Sequence, residues 1–147
     1  MISDNIKELV RYRLEQADES IAAASLLFQQ GLLRRSVNSA YYAMFYAVMA
    51  LLAIKKKETS KHGGAIGLFD REFIKTNIFS KDFSRWLHRA FDLRQRCDYE
   101  AQFNISFEDT QTTLEAAEKF VDKVKSVISE MTSRNEAAAD DGDQEPH

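Results

Sequence analysis

Arg94, Asp98 and Tyr99 stand in the run Leu93-Arg94-Gln95-Arg96-Cys97-Asp98-Tyr99. At four-residue spacing a guanidinium and a carboxylate share one helix face, where an exposed pair contributes only about 0.3–0.5 kcal/mol. The stripe that carries Arg94 is otherwise apolar, with Phe83, Leu87, Ala90 and Cys97 on it. A guanidinium in that company must be paired or must line a cleft. Tyr99 adds a phenol where the helix is about to end. His62 follows Lys61 and precedes Gly63-Gly64 at the mouth of a helix, where free backbone N–H groups and the positive end of the dipole can hold an anion such as a phosphate. A capping or solvent-exposed histidine is the plainer reading of the same residues. His88, four before Asp92, reads as an exposed ion pair, and His147 belongs to the terminal tail.

Several other chemistries find no support. The chain has no Gly-rich phosphate loop, no H-E-x-x-H or E-x-x-H metal pair and no G-x-S-x-G elbow, so neither a metal nor a cofactor is expected. Cys97 is alone, which excludes an internal disulfide and a cysteine-based zinc site; it reads as a small helical core residue. Lys55, Lys56, Lys57 and Lys61 could touch phosphates, although a short lysine run at a helix end is favoured by the dipole with no ligand at all.

The elements that must position these groups follow from periodicity. Val37, Tyr41, Met44, Val48 and Leu51 recur at helical spacing, while Phe45, Leu52, Ala40, Ala43, Ala47 and Ala50 widen the stripe around most of the cylinder. This predicts a central helix from Val37 to Ile54, capped by Ser36 and buried on several sides. Its alanines admit close neighbours, and Tyr41, Tyr42 and Tyr46 need hydroxyl partners if buried. The apolar run Ala40–Ile54 is 15 residues, short of the roughly 20 that span a bilayer, and no membrane segment is expected.

Before it, Ile6, Val10, Leu14, Ala17, Ile21, Ala24 and Phe28 predict a long first helix, with Ser3, Asp4 or Asn5 as cap, Asn5 and Glu8 in capping-box relation, and Gly31 as its stop. After it, Ile66, Phe69 and Phe73 predict a short third helix ending near Thr76-Asn77, Ser80 caps a fourth, and Ser106 with Asp109 opens a fifth along Leu114, Ala117, Val121, Val124, Ile128 and Met131. No strand-period segment intervenes. The expectation is an all-α, up-and-down bundle of about five helices over residues 1–133.

Of the net charge of −3, five negative charges lie at Glu136, Asp140, Asp141, Asp143 and Glu145, so residues 1–135 carry +2. Nearly neutral, that part argues neither for nor against nucleic acid. Residues 134–147 lack aromatic and β-branched residues and are expected to be a disordered acidic tail. The charged start of the chain has no apolar stretch of a signal peptide, which points to the cytoplasm.

Taken together, Asn38-Ser39-Ala40-Tyr41-Tyr42-Ala43-Met44-Phe45-Tyr46, Lys61-His62-Gly63, Arg94-x-x-x-Asp98-Tyr99 and Ala116-Ala117-Glu118-Lys119-Phe120 resemble the HEPN family of small prokaryotic helical domains. The likeness covers nearly the whole chain before the tail. It implies a bundle that pairs with itself, with the polar signature near the shared cleft. It also implies a minimal nucleotidyltransferase as partner in a toxin–antitoxin-like module.

Many HEPN domains are metal-independent endoribonucleases using an R-x4-6-H pair. Here no histidine stands four to eight residues beyond Arg94 or Arg96. The first expectation is therefore a binding module for nucleotide or RNA, with Arg94, Asp98, Tyr99, His62, Tyr41 and Tyr42 at its site. The alternative is a ribonuclease with a rearranged site, in which Arg94 steadies charge on the phosphate, His62 is the base and Tyr99 the acid.

Overall fold

The first helix begins where Ser3, in extended conformation, accepts the Ile6 N–H on its Oγ at 3.2 Å, and it ends as Gly31 turns the chain at a φ of +75°. The computed structural model describes residues 2–59 and 61–143. In it five α-helices follow one another: α1 Asp4–Gln29, α2 Leu33–Ile54, α3 His62–Phe69, α4 Lys81–Tyr99 and α5 Phe107–Asp143. A π-helical turn, Asp70–Ile74, prolongs α3. No strand occurs among the described residues. The all-α bundle expected from periodicity is the fold observed.

α2 is the centre of the molecule. It packs most extensively on α1 and then on α5, α4 and α3. Val37, Tyr41, Met44, Val48, Leu51 and the four alanines Ala40, Ala43, Ala47 and Ala50 are all essentially without solvent exposure. Small side chains at those four positions let neighbouring backbones close in, and burial on several sides explains why α2 is apolar on several sides. The helix is 22 residues and, by length and composition, could cross a membrane. The 15-residue argument against a span therefore does not hold. The packing accounts for the apolarity instead, since more than half of its most apolar stretch is buried inside the bundle.

Three local expectations need correction. Ser36 is no cap: α2 starts at Leu33, and Ser36 sits buried inside it, donating its hydroxyl to the Ala24 carbonyl of α1 at 2.8 Å. A buried hydroxyl needs a partner, and the neighbouring helix supplies one. Asn5 and Glu8 form no capping box, because Ser3 is the cap and Glu8 pairs with Arg11 at 3.0 Å. Ser80 stands at the start of α4 in extended conformation, yet its side chain makes no capping bond.

At the start of α5, by contrast, Ser106 Oγ accepts the Asp109 N–H at 3.0 Å. The Asp109 carboxylate does not complete the box; it pairs with Arg89 of α4 at 2.9 Å. α5 also stays helical through Asp143, past the boundary expected at 133. Three alanines at 137–139 favour this extension, whereas Asp140, Asp141, Gly142 and Asp143 beyond them do not. Residues 144–147, where the rest of the expected tail falls, lie outside the described residues.

Candidate functional site

Tyr41 and Tyr42 of α2 present two rings to α4, and between them and α4 the polar residues gather. The Arg94 guanidinium carbon lies 5.6 Å from the Tyr41 ring centre and 5.3 Å from that of Tyr42, within cation–π range of both. Its Nη2 donates to the Tyr42 hydroxyl at 3.3 Å. Its Nε is 3.1 Å from Asp98 Oδ2, an ion-pair separation, but the N–H is not aimed at an acceptor, and this buried nitrogen makes no hydrogen bond. Only 16% of the Arg94 side chain is exposed, against 37% for Asp98. The guanidinium is thus held by charge and by two rings, with its hydrogen-bonding capacity largely unspent.

His62, the first residue of α3, reaches the same cluster. Its Nδ1 lies 2.6 Å from the Tyr41 hydroxyl, its ring stacks on Phe45 at 4.2 Å, and Tyr42 meets it edge-on at 5.7 Å. Phe91 of α4 closes the other side, 5.7 Å from Tyr41 and 6.5 Å from His62. Burial, and then the nearby Arg94 charge, hold the His62 pKa below its ordinary value near 6.5, so the ring is neutral at neutral pH. Burial drives the Tyr41 pKa well above that of a free tyrosine, with Arg94 opposing and Tyr42 adding to the rise.

Both partners of the Tyr41–His62 bond are therefore neutral, and the burial of Tyr41 favours one direction for it. Tyr41 is wholly buried, and its phenol keeps its proton. A buried O–H needs an acceptor, and Nδ1 of a neutral imidazole is one. With Tyr41 as the donor, His62 Nδ1 accepts and the ring proton resides on Nε2. In that tautomer His62 offers a donor to an anion rather than a base.

Of the six residues expected at a site, five come together: Arg94, Asp98, His62, Tyr41 and Tyr42. Tyr99 does not. It is 78% exposed, on a shallow patch of surface with Asp92, Gln95, Arg96 and Glu100, because the fifth position after Arg94 turns away from the α2-facing side of the helix. His88 is exposed as expected but pairs with Asp70 at 2.7 Å rather than with Asp92. The π turn brings Asp70 against α4, where its second oxygen also accepts from Ser84 at 2.7 Å. Lys55 lies 5.9 Å from the Phe73 ring, and Lys56 and Lys57 flank a groove with Arg13, Leu9 and Met49. His147 lies outside the described residues.

Two residues of the cluster escaped sequence reasoning as site members. Phe45 stands four after Tyr41 and Phe91 three before Arg94, spacings that place each on the same face as its polar neighbour. Among the described residues no group of three or more His, Cys, Asp or Glu side chains could hold a metal ion. Cys97 is buried, and burial raises its thiol pKa, as befits an inert core position.

A family model described as HEPN domain matches residues 10–127. A UPF0332 protein of Thermotoga maritima is 33% identical over 125 residues, covering 85% of this chain and 95% of its own. From Methanocaldococcus jannaschii, the protein named "Putative toxin MJ0605" is 30% identical over 89% of this chain and 97% of its own. A second from that organism, "Putative toxin MJ0142", is 33% identical over 78% of each.

Proposed function

The chain belongs to the HEPN domain family, and on that premise we propose that it is the toxin-like member of a two-component module, acting as a dimer that binds RNA or nucleotide phosphate at Arg94 and His62. The names of the two Methanocaldococcus relatives support the toxin-like part of this reading. The observation that carries the ligand is the Tyr41–His62 bond, which leaves Nε2–H and the Arg94 guanidinium as donors in one cluster. Arginine with an N–H donor beside aromatic faces suits a phosphate and its base.

The dimer is supported by what α2 leaves uncovered. Tyr42, Phe45, Tyr46 and Met49 are only half-buried, and Met49 shares a groove with Leu9 of α1. A second copy covering that stripe would bring two sites close to one cleft. The partner proposed for the module is a minimal nucleotidyltransferase, and the setting is the cytoplasm.

Cleavage of RNA is the second reading, favoured by the convergence of His62 and Arg94 on the same two tyrosines. It ranks below binding because a base at Nε2 needs the other tautomer, which strips the buried Tyr41 hydroxyl of its acceptor. Fluorescence anisotropy with a labelled single-stranded RNA tests the binding site. Arg94→Ala and His62→Ala should each weaken binding about tenfold or more, the worth of one hydrogen bond to a charged group. Affinities equal to wild type would place the ligand elsewhere. Sedimentation should give twice the chain mass, and a monomer would refute the shared cleft.

A further inference from the structure

Arg34 is the second residue of α2, followed by Arg35. Two cations there oppose the helix dipole, so the sequence gives no local reason for them. The structure supplies a distant one. Arg34 Nη1 donates to the carbonyl of Cys97 in the last turn of α4, and Nη2 donates to the carbonyl of Phe103 in the connection that follows. The final carbonyls of a helix lack partners within it, and that end favours a cation. The planar fork of one arginine thus closes the end of α4 and ties down the chain leaving it.

Arg34 precedes Tyr41 and Tyr42 by seven and eight residues, two helical turns, so all three belong to the side of α2 that meets α4. α2 therefore grips α4 at two levels: Arg34 on the Cys97 carbonyl, and the tyrosines on Arg94. Asp98, the counter-charge of Arg94, follows Cys97 directly. A small apolar cluster of Val37, Leu93, Cys97 and Ile105, with Leu33 and Phe103 against it, surrounds the clamp, and the Arg96 guanidinium lies 4.0 Å from the Phe103 ring centre.

We propose that Arg34 is a positioning residue: by bridging the Cys97 and Phe103 carbonyls it holds the last turn of α4, and with it Asp98, in the register that sets the Arg94 guanidinium between Tyr41 and Tyr42. This rests on the reading of Arg94 as the phosphate-binding group. Without the clamp the last turn frays, Asp98 leaves Arg94, and the guanidinium, still beside both rings, loses the orientation that the carboxylate gives it. The apolar cluster remains, so the bundle keeps its fold.

Hydrogen exchange read by mass spectrometry on wild type, Arg34→Lys and Arg34→Met tests this, alongside anisotropy with a labelled single-stranded RNA. In Arg34→Met the amides of residues 97–103 should exchange about tenfold faster or more, the loss of one hydrogen bond to a charged group, while those of central α2 do not change. Arg34→Lys, lacking the fork, should restore this protection only in part. RNA affinity should fall in Arg34→Met but fall no further when Arg34→Met is added to Arg94→Ala. Unchanged exchange overturns the clamp. An equal loss of affinity in the Arg94→Ala background overturns positioning, since Arg34 would then act independently of Arg94. If the wild type binds no RNA, the site reading fails instead, and the Arg94 Nε–H resonance decides the positioning: it should shift in Arg34→Met, and an unmoved resonance refutes it.

Discussion

Removing Asp98 leaves Arg94 with a charge in a largely buried place. The partner is 3.1 Å away at ion-pair distance, and 16% of the arginine side chain remains exposed. Breaking a fully buried pair costs about 3–5 kcal/mol, whereas an exposed i,i+4 pair is worth about 0.3–0.5. Two features lower the first figure here. Asp98 is 37% exposed, so water screens the pair, and Arg94 keeps the Tyr42 hydroxyl and both rings after the carboxylate has gone.

Alanine also suits a helix better than aspartate, by about 0.5 kcal/mol, and removes a negative charge from the unfavourable end of the dipole. A double-mutant cycle cancels those local terms. Asp98→Ala, Arg94→Ala and the double variant, unfolded in urea at one fixed protein concentration, should give a coupling of about 1–2 kcal/mol. A value below about 0.5 kcal/mol would make this a surface pair and refute the claim that Arg94 depends on Asp98.

His62 titrates below its ordinary value, so between about pH 6.5 and its folded pKa the unfolded chain binds a proton that the folded chain does not; stability should therefore drop as pH is lowered through that window in wild type and not in His62→Gln, and an identical profile would contradict the burial of the ring. Arg94→Ala removes one of the two causes that lower the His62 pKa and should raise it toward that ordinary value, as read by NMR titration; an unchanged pKa would contradict the proximity of the two groups. Ala47→Leu forces a larger side chain into a position with no exposure and should cost about 1–3 kcal/mol or more in urea unfolding; a neutral result would mean that the neighbours of α2 are not in close contact there. Cys97 should react with a thiol reagent only after unfolding, and fast labelling of the native protein would contradict its burial.

The bundle was legible in the sequence wherever a helix carries a long one-sided stripe, as in α1, α2 and α5, because the apolar period repeats for many turns. Local ends were less so. Ser36 has the right type and place for a cap, but only the position of Ala24 on another helix decides that its hydroxyl faces inward. The site divides along the same line. Arg94 and Asp98 share a face by spacing alone, whereas the approach of His62 to Tyr41 depends on where α3 docks against α2, which no local pattern encodes. Tyr99 shows the converse, since adjacency to Asp98 in sequence turns it outward on the helix. Arg34 gave no signal because its partners are backbone carbonyls more than sixty residues away.

The central claim is that Arg94 and His62 bind phosphate and do not cut RNA. Purified protein incubated in EDTA with structured and with unstructured RNA, analysed for both bound complex and fragments, tests it directly. Wild type should form complex that is weakened about tenfold or more in Arg94→Ala and in His62→Ala, with the RNA intact in every tube. Robust metal-free cleavage by wild type, abolished in either variant, would contradict the donor role of His62 and make this cluster the active site of a ribonuclease.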